Sequence, residues 1–216
     1  MIGAGVQAMK TTRYTIAGPT IVYLTLVACA VALYVMLDSG DILDSSRAYL
    51  RLNGREGMGI FFVSFGASAL HRLLNAGWTR YLLKNRRYYG ISTAIVLWSH
   101  FLVILSLSVT ASEWFRDGAP WYILYPGAVV FILVGLMALT SNNFAVNKIG
   151  SGHWRTLHLV GGYLALSAFA YEYLLILYLQ PIILPDYVFA TANSKVLAYL
   201  LLSVPLLLLF LRLRKN

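Results

Sequence analysis

Long apolar stretches, separated by short polar or basic segments, run through the whole chain. Six of them are long enough to cross the roughly 30 Å hydrocarbon core of a bilayer, which takes about 20 helical residues. These stretches lie at about 19–37, 57–78, 89–110, 120–140, 157–179 and 194–211. We therefore predict an all-α, polytopic membrane protein, a six-helix transmembrane bundle that forms a single domain over residues 1–216.

The composition agrees with this pattern. Of the 216 residues, 59% are hydrophobic and 12% are charged, whereas a soluble domain carries about 25% charged residues. A net charge of +9 would suggest a nucleic-acid partner in a soluble protein. Here the charge is explained by membrane topology, so we expect a lipid bilayer and no nucleic acid as partner.

Lysine and arginine are distributed unevenly over the polar segments. With both termini in the cytoplasm, the inner side carries 12 of the 17 basic residues: Lys10, Arg13, Arg72, Arg80, Lys84, Arg86, Arg87, Lys148, Arg155, Arg212, Arg214 and Lys215. The outer side carries the other 5, which are Arg47, Arg51, Arg55, Arg116 and Lys195. The positive-inside rule then predicts a multi-pass protein whose N-terminus and C-terminus both lie on the cytoplasmic side (N-in and C-in). We expect it in a cell inner membrane.

The third predicted span follows a basic run and contains a histidine. We expect the run Lys84–Gly90 to anchor the span at the inner membrane surface. His100 lies about 16 Å into the span, near the midplane of the bilayer. An ionisable residue at this depth is a candidate functional residue. Its partner could be a heme iron, a buried carboxylate or a hydroxyl on a neighbouring helix.

Three further histidines and one acid lie in or near the spans. His71 is either an interfacial polar residue or a cofactor contact near the inner face. His153 and His158 are five residues apart, so on a helix they point about 140° away from each other and do not readily share one metal. Glu172 either reaches water on the outer side or takes part in a proton relay or a quinone contact.

Two short motifs carry a family resemblance. The first is Asn85-Arg86-Arg87-Tyr88-Tyr89-Gly90 followed ten residues later by His100, and the second is Leu139-Thr140-Ser141-Asn142 followed by Trp154-Arg155-Thr156-Leu157-His158. Together they resemble the ferric-reductase-like transmembrane domains. Within that superfamily the chain is most similar to the heme-binding membrane subunit of the bacterial methionine sulfoxide reductase system. The resemblance covers roughly residues 57–179.

The resemblance implies a heme b protein that moves electrons across the membrane as a subunit of an oxidoreductase. His100 and His158 fall on heme-ligand positions of the family. Arg86 and Arg87 stand where inner basic residues would hold propionates or an anionic group of the electron donor. An inner heme ligated by His158 could take His71 as its other ligand, which is not a family feature. FMN and a quinone are further cofactor candidates.

Two positions depart from the family pattern. The family usually places another ligand histidine thirteen residues after His158, where this chain has Tyr171. The oxidases of the superfamily have a ligand thirteen residues before His100, where this chain has Arg87. In addition, His100 and His158 differ by roughly 15 Å in predicted depth, so one heme takes both only if the helices are tilted or shifted.

Three functions therefore remain open. The first is electron transfer through heme b from a quinol or flavin donor on the cytoplasmic side to a protein partner on the outer side. The second is a heme-free scaffold or accessory subunit of a larger membrane complex, which the tyrosine at 171 favours. The third is a transporter or channel with Glu172 and His100 on a proton path. The chain lacks paired broken spans in two matching halves, which disfavours the third.

Overall fold

The computed structural model describes residues 17–113, 115, 121–179 and 192–213. Within these residues the chain is all-α, as predicted, and has no strand. The helices are α1 (Ala17–Leu37), α2 (Ile42–Leu74), α3 (Gly77–Thr110), α4 (Trp121–Leu139), α5 (Asn143–Ile149), α6 (Ser151–Leu174) and α7 (Ala192–Leu213). A π-helical turn, Leu175–Leu179, follows α6.

The backbone divides into two compact units, Met1–Ala111 and Ser112–Asn216. Among the described residues, five helices are long and apolar enough to cross a membrane: α1 from Gly18, α2, α3, α4 and α7 from Val196. The membrane character is thus confirmed. The predicted fifth span, 157–179, lies in α6 and the π-helical turn, and α6 is not one of these five. The count of six spans stays a prediction.

Part of the predicted topology lies outside the described residues. This applies to Lys10, Arg13, Arg116, Arg214 and Lys215, which enter the count of basic residues. The side chain of Lys195 is likewise outside the described part of the chain. The orientation of the termini stays a prediction.

The first unit is built on a helical hairpin. Its helices α2 and α3 have 33 and 34 residues, which at 1.5 Å per residue makes each about 50 Å long. They are joined by only two residues, Asn75 and Ala76. Asn75 has left-handed dihedral angles, φ 41 and ψ 35, a conformation that asparagine tolerates better than most residues. Both helices are longer than the hydrocarbon core of a bilayer is thick.

This hairpin corrects two expectations about the loops. The predicted spans leave residues 38–56 as an outer loop, in which residues 44–52 could form a short surface helix, and residues 79–88 as an inner segment. The structure instead starts α2 at Ile42 and α3 at Gly77, and both helices continue into the spans. The physical reason is that charge marks water contact but does not end a helix, since Arg, Lys and Glu are good helix formers. No proline interrupts residues 42–110. Asp41 caps α2 by accepting from the N–H groups of Leu43 and Asp44, both at 3.1 Å.

Helix α1 lies along α3 and runs parallel to it. Close to the middle of α1 the Thr25 hydroxyl donates to Ser92 Oγ on α3 at 3.0 Å. Further along, Cys29 Sγ lies 3.9 Å from Ser99 Oγ. Hydroxyl contacts of this kind are typical of membrane helices, because little hydrophobic force drives one helix against another in lipid.

The second unit is organised around α6. Helices α4, α5 and α7 all contact it. Gly161 on α6 packs against α4, since a Cβ at this position would lie 3.0 Å from Met137 Sδ. Prolines lie inside two of these helices, Pro126 in α4 and Pro205 in α7.

Two glycines of α2 offer a test of the hairpin packing. A Cβ at Gly57 would lie 2.8 Å from Leu97 Cδ2, whereas a Cβ at Gly59 has no atom within 4 Å. Alanine favours the helix by about 1 kcal/mol over glycine, but overpacking costs about 1–3 kcal/mol. We expect Gly57→Ala to lower the midpoint of thermal unfolding in detergent and Gly59→Ala to leave it unchanged or raise it. Equal effects of both substitutions would contradict the hairpin register.

Candidate functional site

His100 lies on α3 and faces α2 of the same hairpin. Its imidazole is hydrogen-bonded to the backbone of Leu50 and lies against Gly54, where a Cβ would be 3.3 Å from His100 Cε1. The ring reaches this backbone because Gly54 has no side chain. His100 is half-buried. Its Nδ1, however, is completely buried and faces Gly54.

Next to His100, neutral polar side chains meet at the centre of α1, α2 and α3. Ser99 Oγ accepts from the Tyr49 hydroxyl at 3.0 Å and from Asn53 Nδ2 at 3.3 Å, and it donates to the carbonyl of Val96 at 2.7 Å. Tyr49, Asn53 and Ser99 are all buried. Within the described residues, Asn53 Oδ1 is buried and has no hydrogen-bond partner. Such an oxygen is a place for a bound water or another small donor.

The pattern of apolar stretches does not indicate this polar cluster. Tyr49 and Asn53 lie in the segment that is predicted to be an outer loop with at most a short surface helix, so the prediction does not place them beside the membrane spans. A signal was present: Ser46, Tyr49, Asn53 and Gly57 recur at intervals of three and four residues, which is the period of one helix face. All four are buried in the structure.

The basic run Lys84–Gly90 is helical and lies well inside α3. Lys84, Arg86 and Arg87 are exposed, whereas Asn85 is buried. The Arg86 carbonyl accepts from Ser64 Oγ on α2 at 2.8 Å. Arg86 and Arg87 are 14 and 13 residues before His100, so they lie roughly 20 Å from it along the helix. The structure does not bring these arginines next to the histidine.

Tyr88 of the same run has a packing role. Its ring covers Gly18 near the start of α1, and any side chain at Gly18 would collide with it.

His71 lies at the closed end of the hairpin. Its Nδ1 is 3.0 Å from Thr79 Oγ1, and Thr79 is completely buried. The same hydroxyl contacts the backbone N–H and carbonyl of Ala76 in the turn. His71 is thus part of the contacts that tie the turn. It is 17 residues from Gly54 on α2, which is about 26 Å along the helix.

The second resemblance motif forms one compact cluster in the other unit. The Trp154 indole N–H donates to the carbonyl of Thr140 at 3.0 Å, and its ring centroid is 4.3 Å from that of His158. His158 Nε2 lies 3.4 Å from Thr140 Oγ1. The two halves of the motif, separated in sequence, therefore meet where α4 and α6 approach each other. His158 is half-buried there.

Tyr171 compensates for a proline. The Tyr122 carbonyl at the start of α4 would normally accept from the N–H of residue 126, but that residue is Pro126 and has none. The Tyr171 hydroxyl donates to this carbonyl at 3.3 Å. The tyrosine at the position of the expected histidine therefore has a structural partner within its own unit.

The two remaining candidate residues are at the surface. Glu172 and His153 are both exposed, and His153 Nδ1 is 3.2 Å from the carbonyl of Ile149. Within the described residues, no three His, Cys, Asp or Glu side chains are grouped so that they could hold a metal ion.

The heme implied by the resemblance can be compared with these surroundings. A histidine that binds a metal nearly always hydrogen-bonds through its other ring nitrogen to a backbone carbonyl, a carboxylate or water, which fixes the ring. His100 has such a backbone partner in Leu50, but its Nδ1 is buried against Gly54, so the ring must turn before an iron can reach this nitrogen. Its unit supplies no second histidine at this height, and Tyr171 is engaged with Tyr122.

The contact between Tyr171 and Tyr122 can be measured by a double-mutant cycle with Pro126. We expect Tyr171→Phe to lower the free energy of unfolding by about 1 kcal/mol, because the carbonyl that lacks its helical donor then also loses the Tyr171 hydroxyl. In the Pro126→Ala background the new N–H at 126 serves this carbonyl, and the same substitution should cost almost nothing. Thermal unfolding of the four proteins in detergent gives the coupling. Equal losses in both backgrounds would contradict this role for Tyr171.

Comparison of the chain with family models, with curated proteins and with solved structures finds no match.

Proposed function

We propose that the chain is a membrane-embedded electron-transfer subunit that holds heme b through His100. In this proposal the chain crosses a cell inner membrane six times, with both termini in the cytoplasm. Electrons pass through it from a quinol or flavin donor on the inner side to a protein partner on the outer side. The heme supplies the one-electron redox chemistry. The protein supplies the axial ligand and an apolar surrounding.

The observation that carries the proposal is the way His100 is held. Its imidazole is hydrogen-bonded to the Leu50 backbone and fits into the space left by Gly54. A histidine in a span that requires only a hydrogen-bond partner can use a hydroxyl of a neighbouring helix. Tyr49 uses the Ser99 hydroxyl in this way. His100 instead bonds to the backbone of Leu50. This arrangement suits a ligand to a metal.

The other candidate residues receive secondary roles. His158 keeps its place as a ligand candidate within the second unit, where Trp154 lies against its ring and Thr140 Oγ1 is 3.4 Å from its Nε2. His71 remains a candidate for an inner heme. Arg86 and Arg87 are exposed in the basic run, where they suit an anionic group of the electron donor.

A second candidate function is a heme-free scaffold or accessory subunit of a larger membrane complex. The contact of the Tyr171 hydroxyl with the Tyr122 carbonyl favours it, because that contact gives the tyrosine a reason to be present that involves no cofactor. Under this candidate function, His100 serves only the packing of α2 against α3.

An absorption spectrum distinguishes the two functions. We expect the purified protein, expressed with a heme supply, to show a Soret band of b-type heme. His100→Ala should lose most of it, since truncation removes the ligand. His153→Ala is the matched control, because this histidine is exposed and lies outside the proposed ligand set, and it should keep the wild-type spectrum.

Two results would reject heme binding through His100. One is a wild-type protein that is well folded in detergent and shows no Soret band. The other is a His100→Ala spectrum, with intact α-helical circular dichroism, that equals the wild-type spectrum. The first result favours the scaffold.

A further inference from the structure

One face of α2 carries charged side chains and an exposed glycine. Arg51, Arg55 and Gly59 follow one another at intervals of four residues, which places them on one side of the helix. Leu52 and Glu56 lie beside them, and all five residues are exposed. We call these five residues the charged face of α2.

Contacts with α1 fix the height of this face. Ser46 Oγ donates to Met36 Sδ on α1 at 3.6 Å. Further along α2, Asn53 Nδ2 donates to Ser99 Oγ at 3.3 Å, and Ser99 Oγ lies 3.9 Å from Cys29 Sγ on α1. Asn53 follows Ser46 by seven residues, and Cys29 precedes Met36 by seven residues. The two helices therefore run antiparallel and stay in step.

The charged face lies level with the middle of α1. When the same pairing is continued along both helices, Arg51 is level with Val31 and Arg55 with Val27. The apolar part of α1, Gly18–Leu37, has 20 residues and is about 30 Å long, which equals the thickness of the hydrocarbon core of a bilayer. Arg55 is therefore roughly 15 Å from either end of this apolar length.

On α1 and α3, the exposed side chains at this height are apolar. The large ones among them are Leu24, Val27, Val31, Trp98 and Leu102. The neutral polar groups at this height, Tyr49, Asn53 and Ser99, are buried between the helices. Exposed apolar surface over the length of a membrane span indicates contact with lipid. A bilayer that covers this surface also encloses the charged face of α2.

Two arginines of this face have no counter-charge within the described residues. Arg47, one turn earlier, has one, since its Nη1 is 2.8 Å from Asp44 Oδ1. Arg51 and Arg55 form no ion pair with any described residue. An arginine close to the end of a span can extend its side chain to the headgroups, but Arg55 is at half height. Charged residues at this depth normally face protein or enclosed water, because lipid cannot solvate them.

The chemistry of the face favours a helix over a lipid phosphate as its occupant. Lipid phosphates lie outside the hydrocarbon core, whereas Arg55 is level with its middle. Glu56 would also repel an anionic headgroup. Gly59 presents backbone without a side chain, and a Cβ added there has no atom within 4 Å. Small residues on an exposed face let a second membrane helix approach closely.

We propose that the charged face of α2 binds a transmembrane helix of a partner protein, and that this helix carries an acidic side chain between Arg51 and Arg55. The two arginines are one helical turn apart, so one carboxylate can accept hydrogen bonds from both guanidinium groups. This carboxylate and Glu56 together balance the two arginines. Gly59 lies one turn further along, where the partner backbone packs closely on α2. The inference does not depend on heme.

The test uses the full chain in proteoliposomes of phosphatidylcholine, with synthetic transmembrane peptides as probes. Each peptide is a leucine-rich helix of about 20 residues with lysines at both ends, and its central residue is Glu or Gln. Binding is measured by energy transfer between labelled protein and labelled peptide. We expect the wild type to bind the Glu peptide at least about tenfold more tightly than the Gln peptide, because only the carboxylate pairs with the arginines.

The double variant Arg51→Gln/Arg55→Gln should bind both peptides equally and weakly. Arg80→Gln/Lys84→Gln is the matched control: it removes two exposed basic residues with the same spacing from α3, and it should keep the preference for Glu. Arg51→Lys/Arg55→Lys should keep part of this preference, since the charge remains. Gly59→Leu should weaken the binding of both peptides, because the new side chain holds the helices apart. Unchanged α-helical circular dichroism shows that each variant is folded.

Four results would overturn the inference. One is equal binding of both peptides by the wild type, and another is a preference for Glu that survives in Arg51→Gln/Arg55→Gln. A third is a preference that disappears when part of the phosphatidylcholine is replaced by phosphatidylglycerol, since an anionic lipid then occupies the face. The fourth is energy transfer between two labelled copies of the chain that is lost in Arg51→Gln/Arg55→Gln, because the occupant is then a second copy.

Discussion

The register between α2 and α3 is the constraint on which the first unit depends. Because two residues join the helices and Gly57 packs directly on Leu97, the height of each α2 residue is set by its neighbour on α3. The polar first half of α2 is thereby placed beside the apolar second half of α3. The depth of α2 in a bilayer therefore cannot change without a matching change in the depth of α3. The same holds for α1, because Thr25 and Cys29 fix it to α3.

This placement explains why the two faces of α2 differ. The face that packs on α1 and α3 carries neutral groups, Tyr49 and Asn53, which hydrogen-bond to Ser99 without any charge being buried. Neutral groups can be satisfied in pairs at modest cost, whereas an ion away from water needs a charged partner. The charged residues accordingly lie on the outer face. His100 lies at the border, with its imidazole on the neutral side and arginines beyond it.

The apolar pattern predicted the class of fold well because lipid exposure requires apolar side chains over a fixed length. Helix α1 ends at Leu37, the residue predicted from the sequence. The pattern failed between Asp44 and Glu56, because hydropathy reports on the surroundings of a side chain and contains little information about the backbone. A charged helix and a charged loop look alike by that measure, and only the absence of proline and the recurrence of Ser46, Tyr49 and Asn53 indicated the helix.

His100 itself could be singled out from the sequence, since an ionisable residue deep in an apolar stretch stands out without any knowledge of its neighbours. Its contacts with Leu50 and Gly54 could not, because they depend on the register of the hairpin. Tyr171 was recognised as a departure from a family pattern. Its contact with the Tyr122 carbonyl was partly readable, since Pro126 four residues after Tyr122 implies a carbonyl without its helical donor. Which side chain would supply a donor depends on how α6 packs on α4.

The tight turn at Asn75 and Ala76 has a consequence for how the protein enters the membrane. Helix α2 has the lowest hydropathy of the five candidate spans, and alone it would partition poorly into lipid. Joined to α3 by two residues, it can transfer together with a strongly apolar neighbour, and its polar face is covered by that neighbour during transfer. The unit of insertion is then the hairpin, and a longer linker at this turn would expose the polar face of α2 to lipid before α3 arrives.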